Sequence, residues 1–256
     1  MDGRNYKFVD VVCSDGAFAI VTLKRADKRN ALNITIMEEI CTAFDELQLS
    51  GCRVVILNAE GSVFCAGLDL HEAANPDLME TSAAHIARLL TTVFTTTMVT
   101  IAVVQGDAFG GGAGLALACD LVVMAMDAHI GFPESRLGLV AAQVSTILMR
   151  QVNMRYVREL LLTGEPVDGK RCLEMGLINR LVKSQELMNE ANGYAHKILL
   201  GAPEAVRKTK RMISEAMPRD FVVDLQHAMV MHHAARESEE AKEGIASFLA
   251  RAKSKK

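Results

Sequence analysis

Gln105-Gly106-Asp107-Ala108-Phe109-Gly110-Gly111-Gly112-Ala113-Gly114 is the stretch that decides the fold. It follows the β-branched run Thr100–Val104 and leads directly into the apolar stretch Leu115–Cys119, so it reads as a strand, a glycine turn and a helix start. So many glycines weaken a helix start unless the backbone must approach something closely. Free N–H groups at such a start favour negative charge on whatever approaches. A second glycine turn, Phe64-Cys65-Ala66-Gly67-Leu68-Asp69-Leu70, comes shortly after the apolar run Val54–Leu57. An N–H from each turn, converging on one oxygen, would stabilise that oxygen as it becomes anionic. The plainer alternative is that both are tight connections between strands and helices.

Outward from these turns, short β-branched runs alternate with helical patterns. Phe8–Cys13 and Ala17–Leu23 flank Ser14-Asp15-Gly16 and predict a hairpin. Thr35 with Glu38 resembles a capping box, after which Ile36, Ile40, Phe44 and Leu47 recur at helical spacing. Pro76 precedes a helical stretch carrying Ile86, Leu89, Leu90 and Val93, and Leu121–Ala125 is a further strand. This alternation implies an α/β fold with largely parallel strands. Beyond about residue 142 helices dominate, over 143–162, 168–175, 185–200, 203–217, 219–236 and 238–252. The exception is a strand at Leu177–Val182, after a helix stop at Gly176. The expected division is a core over residues 1–198 and a helical region over 199–256, with a frayed basic tail.

Half of the 256 residues are hydrophobic, enough for a sizeable core. Lys and Arg number 28 against 31 Asp and Glu, and Trp is absent, so neither a general nucleic-acid surface nor a base-stacking platform is expected. The six cysteines are spread singly, as in a reduced cytoplasmic protein. No signal core or membrane span is predicted.

Several chemistries are excluded by pattern. The dinucleotide fingerprint fails because Gly112-Ala113-Gly114-Leu115-Ala116 is followed by Leu117, and there is no GxxxxGK[ST], GxSxG or HExxH. Adjacent His232 and His233 would point to different sides of a helix and read as a surface pair, so no metal site is expected. Glu134 lies in Ile130-Gly131-Phe132-Pro133-Glu134-Ser135-Arg136-Leu137-Gly138-Leu139, among apolar residues. A desolvated carboxylate there would exchange protons near neutral pH, whereas an ordinary surface Glu would pair with Arg136.

Taken together these segments resemble the crotonase superfamily, the enoyl-CoA hydratase/isomerase family. The resemblance starts at Lys28-Arg29-Asn30-Ala31-Leu32-Asn33 and runs through both glycine turns and Gly131–Leu139. It continues to Leu161-Leu162-Thr163-Gly164-Glu165, Glu174-Met175-Gly176-Leu177-Ile178 and Glu243-Gly244-Ile245-Ala246-Ser247-Phe248. It implies a crotonase (ClpP/crotonase-like) spiral of ββα units with a helical C-terminal trimerisation region, assembled as trimers or dimers of trimers. It places an oxyanion hole at the N–H groups of Leu68 and Gly111, with Glu134 as acid/base. Ala66, Gly67, Asp69, Leu70 and Gly110 would lie along the coenzyme A (CoA) arm, with Ala31 in the first CoA-contacting loop. Lys28 or Arg29 would meet CoA phosphates, and Phe248 would cap the nucleotide of a neighbouring subunit. CoA enters as part of the substrate, and no separate cofactor is implied.

The departures bear on mechanism. The first catalytic Glu of typical hydratases falls on Gly114, and their Pro-Gly-rich turn is Val140-Ala141-Ala142-Gln143 here. A single carboxylate suits a Δ3,Δ2-enoyl-CoA isomerase. The wording of Val104–Gly114 and Glu134–Val140 is similar to methylglutaconyl-CoA and isohexenylglutaconyl-CoA hydratases, and the glycine pattern to dehydratases acting on carrier-protein thioesters. Hydratase-type activity on a 2-enoyl-CoA stands first, isomerase next, and a non-catalytic acyl-CoA-binding homologue last. Gln143 and Ser145 are candidate polar helpers, and residues 71–98 and 135–150 are expected to shape the acyl pocket.

Overall fold

Strand and helix signals alternate in the core, and the computed structural model, which describes residues 6–14, 17–217 and 220–254, turns that alternation into a spiral. Its strands are β1 (Val9–Ser14), β2 (Phe18–Leu23), β3 (Val54–Ala59), β4 (Val63–Cys65), β5 (Val99–Val104), β6 (Asp107–Phe109), β7 (Leu121–Ala125), β8 (His129–Gly131), β9 (Val167–Asp168) and β10 (Arg180–Val182). The helices of the core are α1 (Ile34–Leu49), α2 (Leu70–Ala73), α3 (Pro76–Thr95), α4 (Gly111–Ala118), α5 (Ala142–Gln151), α6 (Met154–Thr163), α7 (Gly169–Met175) and α8 (Leu187–Leu199). Three more follow: α9 (Pro203–Glu215), α10 (Phe221–Arg236) and α11 (Glu239–Ser254).

The larger sheet runs β1-β2-β3-β5-β7-β10, parallel except for the β1–β2 hairpin. The smaller runs β4-β6-β8-β9, with only β9 antiparallel. Successive turns of chain pass through one sheet and then the other: β3 to β4, β5 to β6, β7 to β8. Val54, Val55, Ile56 and Leu57 are wholly buried, as expected of a parallel strand covered on both faces. Their unbroken apolar run is what marked β3 in the sequence.

Several local readings are corrected. Asn33, not Thr35, caps α1, its side chain accepting the N–H of Ile36. The helix expected over 143–162 is two, because Asn153 caps a fresh start by accepting from the N–H of Arg155. The strand expected at Leu177–Val182 is confined to β10. β4, β6, β8 and β9 carry no sequence signal, because two or three residues show no period. Asp15 and Gly16 of the hairpin turn lie outside the described residues.

At the C-terminal end α10 packs on α5 and α3, and α11 packs on the 3-10 turn Pro133–Leu137. Leu139, Ala241 and Ile245 form a small second core at the latter contact. Among the described residues no helix is long and apolar enough to cross a membrane.

Candidate active site

The two glycine turns touch. Gly67 has φ +94°, and a Cβ there would stand 2.9 Å from the Phe109 carbonyl and 3.7 Å from the Gly111 nitrogen. Gly110 has φ +51°, and a Cβ there would stand 2.8 Å from Glu134 Oε1. These positions demand glycine for both conformation and space.

Backbone bonds fix each turn. Leu32 N–H donates to Gly67 C=O at 2.8 Å, Asp69 N–H to Leu32 C=O at 2.9 Å and Ala66 N–H to Arg29 C=O at 3.0 Å. Gly110 N–H donates to Gly131 C=O and Gly114 N–H to Gly110 C=O, both at 2.9 Å. Among the described residues no acceptor takes the N–H of Leu68 or Gly111. Gly111 opens α4, where unpaired donors concentrate positive potential.

The first turn leans on a strained support. Arg29 and Asn30 both have positive φ, 53° and 52°. The fully buried Asn30 side chain accepts from Arg25 N–H and donates to the carbonyls of Glu60 and Val63. Those bonds hold a conformation that non-glycine residues rarely adopt.

Glu134 lies in the 3-10 turn after Pro133, across from Gly110. Its Oε2 is buried without a hydrogen-bond partner, and burial pushes its carboxyl up to about 7. The alternative pairing with Arg136 does not form. Arg136 instead donates to Glu165 and to the Thr163 carbonyl, both at 2.9 Å.

All of this opens on one cavity of about 340 Å³. Of the expected site residues Arg29, Ala66, Gly67, Leu68, Leu70, Gly110, Gly111, Glu134 and Phe248 line it, and so does Gln143. Lys28, Ala31 and Asp69 do not. Lys28 is exposed in the turn Ala26–Lys28, Ala31 C=O accepts from Arg25, and Asp69 pairs with Arg25 at 2.8 Å while capping α2. Ser145 is also outside, its hydroxyl donating to Ala142 C=O. Gln143 donates to Ala83 C=O at 3.1 Å. Phe248 reaches the cavity of its own chain.

At Gly114 there is no room for a side chain, since a Cβ would meet Val144 Cγ1 at 2.7 Å. Ile86, Leu137 and residues 139–144 line the cavity, as the two expected segments suggested, but α10 adds His232 and Arg236. The surface-pair reading of His232 is thereby corrected: only 7% of it is exposed, because it falls on the buried stripe Phe221, Leu225, Ala228, His232, Arg236. Two polar residues continuing an apolar stripe were the signal available in the sequence. Among the described residues no cluster of three or more His, Cys, Asp or Glu is placed to hold a metal ion.

A two-sheet spiral whose glycine turns open onto a shared cavity, with a helical C-terminal part, is the crotonase fold. An enoyl-CoA hydratase from Mycobacterium avium superposes on it with a TM-score of 0.86 at 27% identity, covering 96% of this chain and 97% of that one. A putative enoyl-CoA hydratase of Thermus thermophilus is 37% identical over 240 residues, 91% of this chain and 94% of that protein. A probable enoyl-CoA hydratase of Bacillus subtilis is 32% identical, covering 88% and 89%. The Enoyl-CoA hydratase/isomerase family profile matches residues 14–255. The chain belongs to that family of enzymes.

Proposed function

We propose that this enzyme adds water across the double bond of a 2-enoyl thioester, or eliminates water from the 3-hydroxyacyl thioester to form that bond, with CoA carried as part of the substrate and no separate cofactor. The observation that carries this reading is that Leu68 and Gly111, whose N–H groups have no acceptor, line the same cavity as Glu134, whose Oε2 has no hydrogen-bond partner. The thioester oxygen sits between the two N–H groups, which stabilise it as it takes up charge. Glu134 removes a proton from water as the water oxygen bonds to C3. The π electrons move onto the thioester oxygen, and Glu134 then returns its proton to C2. A group titrating at about 7 suits both halves of that exchange. One carboxylate does both, because Val144 fills the space beside Gly114.

Arg29, exposed at the cavity, or its exposed neighbour Lys28 would meet the phosphates of CoA or of a carrier-protein phosphopantetheine, a reading supported by their charge and exposure. The assembly we propose is a trimer or a dimer of trimers, supported by exposed Met212, Ile213, Val222 and Val223 on α9 and α10.

The test offers crotonyl-CoA and a 3-enoyl-CoA to the protein and to Glu134→Gln in heavy-oxygen water. Heavy oxygen in the product, lost in the variant, supports the reading. Double-bond movement without oxygen uptake would make the enzyme an isomerase, and binding without turnover would overturn catalysis.

A further inference from the structure

Addition of water to C3 leaves one of its two hydrogens on the oxygen. Glu134 takes the other, so the attacking water needs a second acceptor to fix its orientation. Gly114 has no side chain to offer, and Val144 fills the space beside it. Among the described residues, two buried side-chain acceptor atoms without a hydrogen-bond partner belong to residues lining this cavity: Glu134 Oε2 and His232 Nε2. Buried polar atoms are normally satisfied, so each points to a group that arrives with the ligand.

His232 is anchored to the wall that joins Glu134 to the Gly114 gap. Residues 139–144 all line the cavity. At one end of this segment Leu139 N–H donates to the Glu134 carbonyl at 2.9 Å, and at the other Val144 stands beside Gly114. Val140, one residue on from the first contact, receives the His232 ring at its carbonyl. With Nε2 bare, the ring proton that makes this bond is on Nδ1. Nε2 therefore presents a lone pair, an acceptor with no hydrogen of its own to give. The helix that carries the ring, α10, packs on α5 and α3, which fixes it against two walls of the cavity.

We propose that His232 holds the attacking water, its Nε2 accepting the hydrogen that Glu134 leaves on the oxygen, in the role that Gly114 cannot fill. This rests on the hydration reading above and adds a residue to it. As the water oxygen bonds to C3, one proton passes to Glu134 and the other stays on the oxygen, directed at Nε2. His232 gains and loses no proton, and Glu134 alone returns one to C2. In elimination the same lone pair orients the 3-hydroxyl while Glu134 protonates its oxygen and the C3–O bond breaks.

Arg236 supports this from one turn further along α10. Its Nη1 donates to the Met79 carbonyl at 3.2 Å, which fixes the guanidinium. Burial, and then the Arg236 charge, keep His232 neutral, with a pKa of about 4, so the lone pair stays available where Glu134 titrates. An anion would meet that lone pair with no hydrogen between them, whereas water and a hydroxyl each bring one.

The experiment follows hydration of crotonyl-CoA in heavy-oxygen water by the wild type, His232→Asn and His232→Gln. The Asn amide can donate to Val140 C=O as Nδ1 does but places no acceptor at the Nε2 position, which the Gln carbonyl oxygen reaches. His232→Asn is expected to lower kcat on the order of 100-fold with KM changed less than about threefold, and His232→Gln to recover part of that loss. Butyryl-CoA, which has no double bond to hydrate, is expected to bind all three proteins equally in calorimetry. Hydration by His232→Asn at the wild-type rate overturns the proposal. So does a His232→Gln that hydrates less well than His232→Asn, since the Val140 bond would then be what the ring is for. Loss of butyryl-CoA binding in both variants makes His232 a support of the wall and overturns it too. A wild type that binds butyryl-CoA but takes up no heavy oxygen instead overturns the hydration reading, and this role falls with it.

Discussion

Glu134 combines a buried oxygen without a partner and a carboxyl raised to about 7, and both activity and stability therefore depend on its charge. Because the folded protein holds this proton more tightly than the unfolded chain, its contribution to stability is complete below about 4.5 and is lost as pH rises through about 7. Water reaching the cavity screens part of that loss, leaving on the order of 2 kcal/mol. Glu134→Gln removes the charge and keeps the shape. Its melting temperature is expected to fall less than that of the wild type between pH 5 and pH 8, and equal falls would refute the assignment. Turnover in the variant is expected to drop about 10²–10⁴-fold, as for loss of a general acid/base. Of this residue the sequence showed the apolar surroundings and Pro133, but not the partner of Arg136. Glu165 is far away in sequence and became that partner only through folding.

Contacts between elements set how the cavity is walled. α4 lies against α5 where Gly114 meets Val144, so Gly114→Ala is expected to destabilise by about 1–3 kcal/mol despite the higher helix propensity of Ala. Val144→Ala opens the space, and the double variant should recover much of that loss. Strict additivity in denaturant titrations would argue against the contact. α11 docks through a similar close approach, since a Cβ on Gly244 would overlap the Leu137 carbonyl. Gly244→Ala should therefore loosen α11, exposing it to limited proteolysis and raising KM as Phe248 leaves the cavity. A variant as protease-resistant as the wild type would show that the docking tolerates a methyl group.

Across the whole molecule, the apolar residues left exposed on α9 and α10 are the feature a single chain does not explain. Light scattering is expected to give three or six times the 27.8 kDa chain mass, and Ile213→Glu with Val223→Glu to reduce it. A wild-type monomer at micromolar concentration would refute the assembly.

Local chemistry carried the sequence reading a long way. Continuous apolar runs announced β3, β5 and β7, and the glycines marked both turns, because period and backbone freedom are properties of neighbouring residues. That the turns meet was decided by tertiary structure. Their juxtaposition depends on the registers Cys65↔Ala108 and Phe109↔Gly131 and on the Leu32↔Leu68 bridge, which join segments distant in sequence. The same holds for Val144 closing the space at Gly114 and for Arg236 lying buried at the cavity wall. Hydropathy assigns an Arg to water, and only the packing of α10 on α3 and α5 removes that water and leaves a charge in need of a partner.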